Sequence, residues 1–89
     1  MLAFEVRNSL RKDWKRVQKG GFNKGKLDEI VEILVLQKPL PPRCHLHKLS
    51  GNWAGHWECH LAPDLLLIFT IENDTLILYR IGSHSELFQ

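Results

Sequence analysis

Five histidines, His45, His47, His56, His60 and His84, are the residues of this 89-residue chain best suited to moving protons near neutral pH, because an unperturbed imidazole titrates at about 6.5. Four of them fall in the stretch His45–Asp64, HLHKLSGNWAGHWECHLAPD, together with Glu58, Cys59, Asp64 and two of the three tryptophans. Arg80 and His84 follow near the C-terminus in YRIGSHSELF. Two histidines facing each other can share proton transfer, one as base and one as acid, while a carboxylate orients an imidazole. An arginine can offset negative charge that develops on a phosphate. Together these parts suit metal-independent cleavage of RNA. A base takes the 2′-OH proton, the oxygen attacks the adjacent phosphorus in line, and an acid protonates the leaving 5′-oxygen. The dependence on a 2′-OH restricts that chemistry to RNA.

A metal site is the competing use of the same residue types. Cys44-x-x-His47 followed by Cys59-His60 offers four ligands of the kind zinc binds tetrahedrally. Cys59 and His60 are adjacent on an expected strand and point to opposite faces, so no metal is expected. The two cysteines read as reduced, buried thiols packed as small hydrophobes. His45 and His56 are expected only to meet water, and Glu58 by composition alone reads as an ordinary ion-pairing surface carboxylate.

The elements that must position these groups follow from the apolar spacing. Leu2–Val6 reads as a short strand. Asn8 or Ser9 opens a helix to about Lys19, with Leu10, Trp14 and Val17 as its buried stripe, and Gly20-Gly21 ends it. Asn23 caps a second helix from about Lys24 to Gln37, built on Leu27, Ile30, Val31 and Leu34 and stopped by Pro39. Short glycine-containing links join such helices as antiparallel hairpins. After the extended Pro39–Pro42 connector, a strand is expected from about Trp53 to Leu61. Its alternation puts Trp53, Gly55, Trp57, Cys59 and Leu61 inward and Ala54, His56, Glu58 and His60 outward. Pro63-Asp64 and Glu72–Thr75 are turns, LLLIFTI is a central strand buried on both sides, and LILYRI completes an antiparallel meander. The fold class is therefore α+β: an N-terminal helical hairpin packed on a small twisted antiparallel β-sheet, as a single domain over residues 1–89. The other face of the sheet stays open for a site, with His47 and Asp64 at the strand ends and Arg80 and His84 arriving from the last strand.

Composition narrows the class of function. The net charge of +2 hides an asymmetry: residues 1–38 carry nine Lys/Arg against five Asp/Glu, and residues 39–89 carry three against five. A basic half suits a polyanionic partner, although a Lys-rich helix is more often a solvated face. No apolar run reaches the roughly 18 residues that span a bilayer, and the first residues lack the apolar core of a signal peptide, so a cytoplasmic protein with no membrane partner is expected.

HxLxGxW (His47–Trp53), ECHLxPD (Glu58–Asp64), the LLLIF strand and the terminal RIGSHSELF together resemble the YafQ-type mRNA interferases of the RelE/ParE toxin–antitoxin superfamily, over nearly the whole chain. The resemblance implies the RelE-like, microbial-ribonuclease-like fold. It also implies a ribosome-dependent, metal-independent endoribonuclease that cuts mRNA in the A site, arrests translation and needs no cofactor. Its implied partners are a cognate DinJ-type antitoxin, the 70S ribosome with its rRNA, mRNA, and operator DNA only through the antitoxin complex. Carried over by position, the functional histidines fall on His47, His60 and His84, the acidic residue after proline on Asp64, and the terminal aromatic on Phe88. Glu58 takes an acidic position and Arg80 that of a charge-stabilising arginine. Leu65 stands where the resemblance implies an aromatic residue, tryptophan. On this reading His47 and His84 are the base and acid, His60 and Asp64 orient and stabilise, Arg80 neutralises the phosphate and Phe88 stacks on a base. Lys12, Lys15, Arg16 and Lys19 grip ribosomal RNA. The alternative within the superfamily is a ParE-like inhibitor of DNA gyrase, which would need no proton-transfer pair.

Overall fold

The computed structural model describes residues 1–88, and it orders the chain as β1 (Ala3–Val6), α1 (Asn8–Lys19), α2 (Lys24–Val35), β2 (His47–Lys48), β3 (Trp57–Ala62), β4 (Leu65–Glu72), β5 (Thr75–Gly82) and α3 (His84–Leu87). The strands form one sheet in the order β1-β5-β4-β3-β2. The three long strands pair antiparallel as expected, but β1 lies parallel to β5 at the edge. A parallel pair needs a crossover connection, and here the whole of α1 to β4 intervenes. β4 runs through the middle with Leu66, Leu67 and Ile68 fully buried. Each such side chain contributes about 2 kcal/mol by leaving water, so the centre of the sheet is its most stable part.

Both helices cover one face. Leu10 of α1 and Leu27, Ile30 and Leu34 of α2 meet Cys59, Leu67, Phe69, Leu76, Leu78 and Ile81 in the main core. Asn23 caps α2 as expected, its side chain accepting from the Gly25 N–H at 2.7 Å. The second face carries a smaller cluster of Leu66, Ile68 and Leu87, against which Leu49, Trp53 and Tyr79 pack. The expected Trp53–Leu61 strand is therefore corrected. Gly51–Trp53 is a 3-10 turn, Gly55 has φ +87°, and the strand starts at Trp57. Gly55 breaks the alternation, so Trp53 ends on the face opposite Trp57 instead of beside it.

Two local features aim the C-terminal part of the sheet. In β5, Ile68 is opposite Arg80 and Phe69 opposite Leu78, so Tyr79 is an extra residue, a β-bulge. Tyr79 packs on the second face while Arg80 closes on Asp13 of α1. Beyond Leu78 the outer edge of β5 has no partner strand among the described residues, and α1 runs beside it. Ser9 donates to the Tyr79 carbonyl at 2.6 Å, and one turn later Asp13 accepts from the Ile81 N–H at 3.1 Å. Two side chains at i and i+4 thus satisfy an edge that would otherwise be open. Among the described residues, no helix is long and apolar enough to cross a membrane.

Candidate active site

On the second face, between the loop that carries Trp53 and the short α3, the histidines and carboxylates converge. β2 is two residues long, enough to set His47 directly across from Glu58 of β3. Glu58 is 2% exposed, so it is not a surface ion pair. A carboxylate buried to that degree requires partners, and its Oε1 has two: His47 Nε2 at 3.3 Å and His60 Nε2 at 3.5 Å. Alternation along β3 keeps His60 on this face, whereas Cys59 points into the core at 0% exposure. Cys59 therefore cannot share an ion with His60.

α3 brings in His84. Gly82 is buried, and a Cβ there would stand 3.0 Å from Glu86 Oε1, 3.1 Å from Arg16 Nη2 and 3.3 Å from Leu87 Cδ2, so any side chain here would crowd the ends of all three. A capping box starts the helix. Ser83 Oγ accepts from the Glu86 N–H at 3.3 Å, and Glu86 Oε1 accepts from the Ser83 N–H at 2.8 Å. His84 then meets Asp64 in the β3–β4 turn. Asp64 Oδ1 accepts from both the His84 backbone N–H (3.2 Å) and its ring Nδ1–H (3.1 Å). Those two hydrogen bonds hold the Asp64 carboxyl below its ordinary range.

The rings of His60 and His84 lie 5.8 Å apart, and Phe88 is 6.2 Å beyond His84. Five side chains thus run in sequence across the cleft: His47, Glu58, His60, His84 and Asp64. Counting ring nitrogens separates their roles. His47 donates from Nδ1 to the His45 carbonyl at 2.8 Å and faces Glu58 with Nε2, so both of its nitrogens are engaged. His60 has its Nδ1, and His84 its Nε2, free of protein partners among the described residues. His60 and His84 are thus the rings left with a free nitrogen among the described residues, whereas both nitrogens of His47 are engaged. Glu58, His60 and His84 also each offer one ligand atom, all within 4.8 Å of one another.

Arg80 lies outside this cluster. Its Nε and Nη2 donate to Asp13 at 2.6 and 3.0 Å, a bidentate pair that accounts for the buried carboxylate. Burial pushes the Asp13 carboxyl up. The hydrogen bonds from Arg80, the Ile81 N–H and Arg16 outweigh that push and hold it below its usual value. Arg16 is spent in the same network, bridging Asp13 (3.3 Å) to Glu86 of α3. Lys12, Lys15 and Lys19 remain exposed on α1 with no ion pair among the described residues.

His45 was expected only to meet water, and it does more. It sits at φ +45° after the Pro42–Cys44 3-10 turn, a left-handed conformation costing a non-glycine residue about 1–3 kcal/mol. Its ring stands edge-on to His60 at 5.2 Å. His56 belongs to a separate aromatic group, 4.5 Å from Tyr79 and 5.2 Å from Trp53. Asp13 is the residue sequence reasoning missed. Its signal was a carboxylate placed one turn after Leu10 in an apolar stripe, with an arginine in a late strand to match it.

A mixed sheet covered by helices on one face, with anchored histidines on the other, defines a small α+β protein equipped for acid–base chemistry. The profile of the family described as "Bacterial toxin of type II toxin-antitoxin system, YafQ" matches residues 2–89. The chain is 33% identical over 85 residues to the mRNA interferase toxin YafQ of Escherichia coli K12, covering 94% of this chain and 92% of that one. A metal-bound toxin from Helicobacter pylori superposes with a TM-score of 0.93 at 43% identity, over 99% of this chain and 100% of the other. YafQ in the E. coli DinJ–YafQ complex does so with a TM-score of 0.90 at 30% identity, over all of both chains. This chain belongs to the YafQ family of type II toxin–antitoxin toxins.

Proposed function

We propose that this chain arrests translation by cutting mRNA in the ribosomal A site, with His84 and His60 as the base and acid. As a YafQ-family mRNA interferase it is an endoribonuclease. The ribosome dependence, the mechanism and the assignment of roles are the new reading, and so is one toxin domain over residues 1–89 acting in the cytoplasm. The observation that carries it is the pair of carboxylate-anchored rings 5.8 Å apart. With Nδ1–H held by Asp64, His84 presents Nε2 to take the 2′-OH proton. The freed oxygen attacks phosphorus in line, and His60 gives its proton to the departing 5′-oxygen, leaving a 2′,3′-cyclic phosphate and a 5′-hydroxyl. Buried Glu58 balances the proton on His60, and His47 holds Glu58 from its other side. Phe88, beside His84, stacks on the base of the nucleotide whose 2′-OH attacks. Arg80 acts here by fastening α1 to β5, with its positive charge as a background field. Lys12, Lys15 and Lys19 meet rRNA phosphates, whereas Arg16 serves the fold. A DinJ-type antitoxin, the partner seen with E. coli YafQ, neutralises it, and operator DNA is reached only through that complex.

The test is primer extension on mRNA in a purified translation system, with and without ribosomes. Wild type is expected to give breaks only with ribosomes. His84→Ala and His60→Ala should lose at least about 100-fold, the usual size of a general acid or base contribution, and His47→Ala should lose less. If His60→Ala cuts within about threefold of wild type, the pairing is wrong. Cleavage absent for wild type would remove the nuclease reading itself.

The convergence of Glu58, His60 and His84 favours a second occupancy. Two imidazoles and a carboxylate are donors suited to copper, nickel or zinc, and the H. pylori relative is described as metal-bound. A cation held there would tie up the nitrogens that the proton transfers need, so its expected effect is inhibition. Copper titration of wild type and His84→Ala by calorimetry checks the site. Primer extension on ribosomes with and without added copper checks the sign, with cleavage expected to fall as copper is added.

A further inference from the structure

Next to His60, on the side away from His84, the surface opens into a cleft of about 660 Å³ between α2 and the end of β3. That volume is within the roughly 300–1,000 Å³ of small-ligand sites, enough for one nucleotide. Its walls combine Lys26 and Glu29 of α2, three residues apart and so on one side of the helix, with Arg43 and His45 from the loop before β2. Ile30, Leu61 and Pro63 supply apolar surface. Among the described residues neither Lys26 nor Arg43 enters an ion pair, whereas nearby Lys24 is held by Asp28 at 3.0 Å. Two unspent cations therefore face a concavity whose inner wall is His60 itself. His45 ties the two together. Its ring lines the cleft edge-on to His60 at 5.2 Å, while its carbonyl anchors His47.

We propose that this cleft holds the nucleotide on the 3′ side of the scissile phosphate and sets a base preference there. The proposal rests on the nuclease reading, in which His60 protonates the 5′-oxygen of that same nucleotide. The leaving group must then lie beside His60, and the cleft is the space available to it. Lys26 and Arg43 meet the next phosphate along the chain as point charge and fork. The His45 ring gives the base a face to stack on. Glu29 accepts from an exocyclic amine, as carboxylates do at cytosine N4. Uracil presents two carbonyls flanking a single N–H and is disfavoured. RNA contact by cations thus extends from α1 to α2, on the opposite flank of the site.

The experiment measures kcat and KM on ribosomes programmed with synthetic mRNAs carrying adenosine or uridine just 3′ of the cut. Wild type runs in parallel, so that failure of cleavage as such is visible. The Lys26→Ala/Arg43→Ala double variant changes only exposed side chains, and an unchanged melting curve is the check on its fold. It should raise KM about tenfold with kcat within about threefold, as expected when binding but not chemistry is lost. Glu29→Gln should narrow the adenosine-over-uridine ratio. His45→Gly, which relieves the positive φ while removing the ring, should raise KM on both templates. An unchanged KM in the double variant overturns the proposal. So does a double variant that cuts normally but escapes inhibition by added antitoxin, because the cleft would then face protein.

Discussion

Asp13→Ala is the most informative single change outside the histidines, because Asp13 ties α1 to β5. Its carboxylate accepts from Arg80 twice, from the Ile81 N–H and from Arg16, at 2.6 to 3.3 Å. Breaking a buried pair from one side costs about 3–5 kcal/mol when the other charge is stranded. Here the stranded guanidinium is 28% exposed and regains some water. The alanine also suits a helix interior, returning up to about 0.7 kcal/mol. The net loss is then about 2–3 kcal/mol, set against the roughly 4–13 kcal/mol expected for a chain of this length. At about 4–8 °C per kcal/mol for a domain this small, the melting temperature should fall by roughly 10–20 °C. Circular dichroism melts and urea titrations at pH 7 measure it, with Arg80→Ala and the double variant completing a cycle. The coupling should exceed about 1 kcal/mol. A variant melting within about 3 °C of wild type, or single effects that simply add, would refute the account of Asp13 as the tie between α1 and β5.

Acid should expose the same group. The Asp13 carboxyl is held below its usual range in the fold, so its contribution is fully present above the unfolded value of about 3.9 and is lost as pH falls through the lower folded value. Urea midpoints from pH 6 down to pH 2 should therefore fall more steeply for wild type than for Asp13→Asn. Gly82→Ala should push α3 off β5, since its Cβ would meet Glu86, Arg16 and Leu87. Overpacking of this kind costs about 1–3 kcal/mol, and cleavage should drop at least tenfold at temperatures where the variant stays folded, because His84 rides on α3. Burial raises the Cys44 thiol and pushes that of Cys59 up to about 12. A thiol reagent at pH 8 should label neither cysteine in the native protein and both in denaturant; rapid native labelling of Cys59 would contradict its place in the core.

How much of this was legible in the sequence depended on whether the signal was periodic. The two helices and the β4–β5 hairpin follow from apolar spacing and turn residues, and they appear nearly where that spacing puts them. β2 and α3 do not, because two and four residues are too short for any period to show. Both are held by partners distant in sequence: His47 by Glu58 across the ladder, and His84 by Asp64 twenty residues earlier. The family resemblance supplied the histidines that local pattern could not rank. It could not supply their hydrogen bonds, which are what distinguish His47 from His60.

Arg80 shows why. The register across β4 sets Arg80 opposite Ile68, as it does Glu58, yet its guanidinium turns to Asp13 of α1 at the outer edge of β5. A one-residue bulge is invisible in a sequence pattern that continues apolar on either side, and Asp13 is sixty-seven residues away. The same reasoning explains His47 and His60. Sequence spacing places both near Glu58, and the carbonyl of His45 takes up the one His47 nitrogen that does not face Glu58. That carbonyl points where it does because His45 takes a left-handed conformation after two prolines. The residue that seemed least chemical in the stretch therefore sets which ring nitrogens are left unpaired, through its backbone rather than its ring.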